Sequence, residues 1–178
     1  MKASKILIMT MSTGAIPVGH WTQDPTVGGG RIIGETCHYI DLMRFLVGSP
    51  ITGFNADMMW DAPGVEVRED KASITLSFAV RTFGTILYLA KGGKSFPKER
   101  IEVFCNDAVL QLDNFRRLNS FGWPGFKGLK LMQQDKGQKA CAKAFVDAIR
   151  QGAPSPIPFE EVIEVARVSI EVAQSLRG

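Results

Sequence analysis

The chain has 178 residues, a length that suits one domain and is enough to bury a real hydrophobic core. Hydrophobic residues make up 45% and charged residues 22%, the balance of an ordinary globular protein, and 21 basic against 18 acidic residues leave a net charge of only +3. With no run of five like charges, electrostatics give no support to a nucleic-acid or membrane-surface role.

Cys37, Cys105 and Cys141 are far apart and odd in number, which is no disulfide framework and suits a reducing cytoplasm. No apolar run approaches the ~18 residues of a membrane helix. The apolar stretch after Lys5 is too short, and lacks the small-residue cleavage pattern, for a signal peptide.

In chain order, 5–11 reads as a buried strand left through Ser12-Thr13-Gly14. A loop rich in Pro and Gly follows from Ala15 to Gly30, and loops of that length are usually functional or mobile. From about Ile33 to Val47 the spacing predicts a helix, stopped by Gly48 and Pro50. Glu35, His38, Asp41/Leu42 and Phe45 fall on one stripe of it, polar at its start and apolar at its end, as on a helix whose first turn borders a cavity.

The middle is β: 51–60, the alternating 72–80 (with Val80 on the apolar face), 85–90, a hairpin of 101–105 with 109–112, and shorter pieces at 116–120 and 129–133. Two helices close the chain. The first repeats its apolar residues at Ala140/Cys141, Ala144/Phe145 and Ala148/Ile149 up to Gly152; the second runs through 159–176 after a stiff Pro-rich connector. This order predicts a single α+β domain over 1–178: two layers, an open, predominantly antiparallel sheet, and helices packed on one face. The small, uncharged residues on the other face suit packing against another subunit.

Eighteen glycines invite a test for a nucleotide site. Gly28-Gly29-Gly30-Arg31-Ile32-Ile33-Gly34 falls short of the dinucleotide fingerprint, because Ile33 stands where the third glycine belongs and no strand leads in. A metal site is not expected: Cys37 and His38 are neighbours, which point ~100° apart on a helix, and no paired Cys or His spacing occurs. His38, one of two histidines, is the candidate acid/base, with Glu35 three residues earlier placed to orient it or to bind a hydroxyl. A structural histidine capped by Glu35 or Asp41 satisfies the same pattern.

Ile16-Pro17, His20-Trp21, then Gly28-Gly29-Gly30-Arg31-Ile32-Ile33-Gly34-Glu35, Cys37-His38 and Ile40-Asp41-Leu42 resemble the start of the C-terminal domain of Gfo/Idh/MocA oxidoreductases. Residues 94–104, 112–118, Gly122-Trp123-Pro124-Gly125-Phe126, Asp135-Lys136-Gly137 and 156–161 continue the likeness along nearly the whole chain. It is strongest to the branch often fused to a zinc-type alcohol dehydrogenase-like region.

The resemblance implies a fold like the C-terminal domain of glyceraldehyde-3-phosphate dehydrogenase. It also implies that the chain is the substrate-binding and assembly half of an NAD(P)-dependent oxidoreductase, cut near the domain junction. NAD or NADP would be bound mainly by a Rossmann domain absent from this chain, with none expected in this chain alone. The substrate would be a sugar, polyol or nucleotide sugar, with a hydroxyl or ketone as the reacting group. The assembly implied is a homo-oligomer joined through the sheet face.

In that family a histidine at the position of His38 acts on the substrate hydroxyl, commonly with an aspartate four residues earlier. Here that position is Gly34, beside Glu35. Arg31 joins the substrate-binding candidates. Lys91, Lys94, Lys98 and Arg100 either meet a phosphate or carboxylate or form a solvated hairpin tip. Trp21 and Trp123 either stack on a sugar ring or pack in the core. A non-catalytic ligand-binding or oligomerisation module is the alternative reading.

Overall fold

In the computed structural model, residues 4–61, 63, 65, 67–90, 92–93 and 95–178 are described. The strands are β1 (Lys5–Thr13), β2 (Ile51–Met58), β3 (Lys71–Phe78), β4 (Phe83–Ala90), β5 (Glu99–Cys105), β6 (Ala108–Asp113), β7 (Arg117–Phe121) and β8 (Gly128–Lys130); the helices are α1 (Cys37–Val47), α2 (Gln138–Gln151) and α3 (Phe159–Arg177). The strands form one sheet in the order β2-β3-β4-β1-β5-β6-β7-β8. Neighbours are antiparallel except for β1 and β4, which run parallel. The expected open α+β sheet is therefore present, with the first strand of the chain at its centre.

Alternation decides the two faces. Leu7, Met9 and Met11 of β1, Ile74 and Leu76 of β3 and Ile86 of β4 are fully buried on one side. They pack under Ile40, Met43 and Val47 of α1 and Val168, Val172 and Leu176 of α3, and burying each such side chain contributes about 1.5–3 kcal/mol. The close seating of α1 requires Gly84, where a Cβ would lie 2.5 Å from Met43 Sδ. α1 stops at Gly48, in the left-handed region at φ 66°. Arg44 joins α1 to α3 through Glu164 (3.1 Å) and Glu161 (3.4 Å).

Three expectations need correction. Val80 does not continue the core face: the chain has already left β3 for the turn to β4, and the side chain is exposed. The apolar stripe of α2 buries nothing, and Phe145 and Ile149 stand exposed, because no element among the described residues covers them. Phe45 ends its stripe of α1 in solvent, at 73% exposure, rather than in the core.

The opposite face of the sheet is bare. One apolar row crosses five strands there: Phe83, Ile6, Phe104, Val109 and Phe121 are register neighbours. In the next row Gln111 donates to Glu102 (2.7 Å) and Asn119 donates to Gln111 (3.2 Å), while Thr75 bonds Thr85 (2.9 Å).

Candidate functional site

The approach to α1 is not plain helix. Residues Ile32–Thr36 form a π-turn, with the Cys37 N–H reaching the Ile32 carbonyl. Such turns insert one residue into the helical ladder and recur at functional sites. Here the turn lets Glu35 reach sideways to the sheet while His38 faces outward.

Glu35 is the centre of a tight cluster. Its Oε2 accepts from Arg31 Nη2 (2.5 Å) and from the Tyr88 hydroxyl (2.5 Å), and Lys98 Nζ lies 3.8 Å from Oε1. Arg31 is 4% exposed, donates Nη1 to the Gly14 carbonyl (2.7 Å), and stacks 5.3 Å from the centre of the Tyr88 ring. Burial alone would push the Glu35 carboxyl up, but the bonds from Arg31 and Tyr88 outweigh it and hold the group below its ordinary value. Burial, then the bond to Glu35, pushes the Tyr88 phenol up. Glu35 is thus a fixed anion rather than a proton carrier.

The expected Glu35–His38 bond is absent among the described residues: Glu35 Oε2 takes both Arg31 and Tyr88, and Oε1 faces Lys98. His38 is exposed on the outer side of α1. Burial raises the Asp41 carboxyl and His38 opposes the rise.

A second buried carboxylate lies in the same row of the sheet. Tyr88, Met11 and Glu99 are register partners across β4, β1 and β5, which sets Glu99 about 10 Å from Tyr88. Glu99 Oε1 accepts from the Tyr39 hydroxyl (3.3 Å) and from Lys136 Nζ (2.5 Å); Oε2 is buried with no partner among the described residues. The Tyr39 phenol is pushed up, by burial first and then by Glu99. Glu35 and Tyr39, one turn apart, therefore set the start of α1 across three strands.

Sequence reasoning missed the buried Glu99–Lys136 pair. The available signal was parity: Glu99 shares the inward face of β5 with Ile101, where an acid is out of place unless paired.

Trp21 opens a short 3₁₀ turn capped by His20 and is 62% exposed. With Ile16, Thr22, Gly28, Arg31 and Glu35 it lines a cavity of about 210 Å³, small-molecule scale and below the ~300 Å³ of drug-sized sites. So Trp21, Arg31, Glu35 and Lys98 come together, with His38 one turn beyond. Lys91 and Lys94 lie outside the described residues. Arg100 points to the bare sheet face and pairs with Asp113 (2.8 Å), so it does not join Lys98. Trp123 sits with Cys105–Ala108 at the far end of β5, about 20 Å of strand from Glu99.

The glycine run does not fit a dinucleotide cradle. A Cβ on Gly28 would meet the Trp21 carbonyl at 2.5 Å, and one on Gly30, at φ 78°, would meet Glu69 Oε1. These glycines allow the chain to pack on itself. Among the described residues no group of three His, Cys, Asp or Glu could hold a metal, and no helix is long and apolar enough to cross a membrane.

No curated protein matches the sequence. Among solved structures, the chain is similar to a UDP-N-acetylglucosamine 3-dehydrogenase from Acidithiobacillus ferrooxidans (16% identity, TM-score 0.73, 98% of this chain and 54% of that one). It is similar to an aldose-aldose oxidoreductase from Caulobacter crescentus complexed with glycerol (15%, 0.72, 98% and 54%). It is also similar to a biliverdin reductase from Synechocystis in complex with biliverdin and NADP+ (14%, 0.72, 97% and 55%). Identities this low establish the fold alone, and the chain spans about half the length of these proteins. The model of the GFO/IDH/MocA C-terminal domain matches residues 7–111, more than half of the sequence, and the chain belongs to that family.

Proposed function

We propose that this chain is the substrate-side domain of an NAD(P)-dependent oxidoreductase, interconverting a hydroxyl and a ketone on a sugar, polyol or nucleotide sugar. The observation that carries the reading is the contrast at the start of α1. Glu35 is locked as a carboxylate by Arg31 and Tyr88, while His38, three residues on, has no side-chain partner among the described residues and faces outward.

A base must be accessible to take a proton, and His38 is exposed one turn beyond the segment that lines the cavity. Its imidazole removes the hydroxyl proton as the alcohol is oxidised and returns it in the reverse direction. Trp21 offers a flat apolar surface to the ring, Lys98 a donor to its oxygens, and the Arg31–Glu35 pair holds the wall in place. The nicotinamide, carried by a Rossmann domain, supplies the hydride acceptor.

The two bare faces divide the remaining contacts. The outer side of α1 carries both His38 and Phe45, so the cofactor domain docks there. The apolar row from Phe83 to Phe121 faces the opposite way and takes a second copy of the chain. Its neighbouring polar groups already satisfy one another, so they can be covered without leaving unpaired donors. The unpaired cysteines support a reducing, cytoplasmic setting, and the branch fused to a zinc-type alcohol dehydrogenase-like region is the proposed context.

The test is His38→Ala, with His38→Asn beside it, in the protein complete with its cofactor domain. Loss of acid/base catalysis lowers kcat about 10²–10⁴-fold with a smaller change in KM. Turnover close to that of the parent removes His38 from the role.

A further inference from the structure

A helix with one apolar stripe needs one partner, but α3 has two such stripes. Val165, Val168, Val172 and Leu176 make the inner one, buried in the core under the sheet and α1. Phe159, Ile163, Ala166 and Ile170 fall on a second stripe, about a third of a turn further round, and all four are exposed.

α2 presents another uncovered side. Cys141, Phe145 and Ile149 share it, and each is exposed. The polar sides of the two helices pair within themselves: Lys143 with Asp147 on α2, and Arg167 with both carboxylate oxygens of Glu171 on α3 (2.9 Å each). Solvent suits those sides, and the apolar sides are the ones left to cover. Residues 152–158 join the helices, so the end of α2 stays within about 30 Å of the start of α3.

The place of α3 says what covers it. Glu161 pairs with Arg44 (3.4 Å) and bears on the Asp41 carboxyl, and Asp41 lies one turn from both His38 and Phe45. The start of α3 therefore adjoins the outer side of α1, and Phe45 and Phe159 are both exposed there. Single exposed apolar side chains are ordinary; Phe45, Phe145, Ile149, Phe159, Ile163 and Ile170 on three helices are the composition of an interface. The chain spans only 54% of the length of the dehydrogenase it resembles in fold, so a protein of that length has a second body of similar size to seat. The bare sheet face, which suits a second copy, looks the other way.

We propose that the outer stripe of α3 and the apolar side of α2 are the seat of the cofactor-binding domain, which meets them with an apolar surface of its own. This rests on the reading of the chain as the substrate-side half of an oxidoreductase. It extends the contact of the two halves from α1 across α3 to α2, and a covered area of about 600–1,500 Å² is usual between domains.

The test compares hydrogen exchange, followed by mass spectrometry, in the 178-residue chain and in the protein complete with its cofactor domain. Peptides from α2 and from 159–170 should exchange at least about tenfold more slowly in the complete protein. Ile163→Glu should remove that protection and Ile163→Leu should keep it. Because Ile163 is exposed in the chain alone, neither change should alter the circular dichroism of the chain alone.

Equal exchange in the two proteins overturns the proposal. Slow exchange already present in the chain alone does so too: independent of concentration, it means that α2 has folded onto α3, and growing with concentration, it means that a second copy sits there. Protection that survives Ile163→Glu puts the cofactor domain elsewhere and also overturns it. Loss of turnover in His38→Ala without protection of α2 and α3 sinks this surface and leaves the acid/base reading standing. Protection beside full turnover in His38→Ala does the reverse.

Discussion

Replacing Glu35 by Gln isolates the charge of the buried cluster, because the side chain keeps its shape and one acceptor oxygen. Arg31, 4% exposed, then loses its counter-ion, while Lys98 nearby adds repulsion. Breaking a buried pair from one side costs about 3–5 kcal/mol, and the 27% exposure of Glu35 scales this to about 2–4 kcal/mol. For a chain of this size that is a fall in Tm of roughly 4–16 °C.

The pH dependence supplies an independent check. The folded carboxyl is held below its ordinary value of 4.5, so the folded chain binds this proton more weakly than the unfolded chain does. The contribution is complete above 4.5 and is lost as the pH falls through the lower folded value. Urea unfolding of parent and Glu35→Gln, followed by circular dichroism at neutral pH and in steps below 4.5, should show a gap that closes with acid. A gap under about 0.5 kcal/mol at neutral pH, or one that ignores acid, refutes the assignment of Glu35 as the anion that holds Arg31.

Two glycines of one loop-helix segment should respond oppositely. Gly34→Ala, with open space at its Cβ and an ordinary φ, should stabilise by about 0.5–1 kcal/mol, whereas Gly30→Ala, at φ 78° against Glu69 and Arg177, should destabilise by more than 1 kcal/mol; thermal melts decide both. Arg44→Met leaves Glu164, among the described residues, with only the Ile51 N–H and should cost about 2–3 kcal/mol in urea unfolding, with partial recovery when Glu164→Gln is added. If the proposed second copy seats on the bare apolar row, Phe104→Arg, in its middle, should lower the sedimenting mass without altering circular dichroism, while Phe145→Arg should not. Dissociation by Phe145→Arg alone would move the interface to the helices.

The parts legible in the sequence were those with a local signature. Residues 72–78 alternate and form β3, Gly48 ends α1, and 159–176 forms α3 within a residue of the expected bounds. What stayed hidden depended on pairing at a distance. Nothing near Glu35 announces Tyr88, and nothing near Glu99 announces Lys136, because each pair joins segments far apart in sequence that meet only through the order β4-β1-β5 of the sheet. The same topology separates Trp123 from the other candidates, although both tryptophans sit in loops bearing Gly and Pro. The stripe of α2 was legible as apolar, but amphipathicity says that a face will be covered and not by what.

The π-turn carries a consequence for how this domain tolerates change. An extra residue in one turn acts as a phase shifter between two stretches of helix. Upstream, Arg31 keeps its alignment with β4, and Glu35 reaches it from within the turn; downstream, Cys37–Val47 keeps its seat on β1 and β4 with His38 outward. Removing one residue at 33 or 34 would restore the regular ladder and rotate the upstream part by about 100°, carrying Arg31 away from Tyr88 while α1 stayed where it is. The segment ahead of the turn and the seat of α1 can therefore change separately.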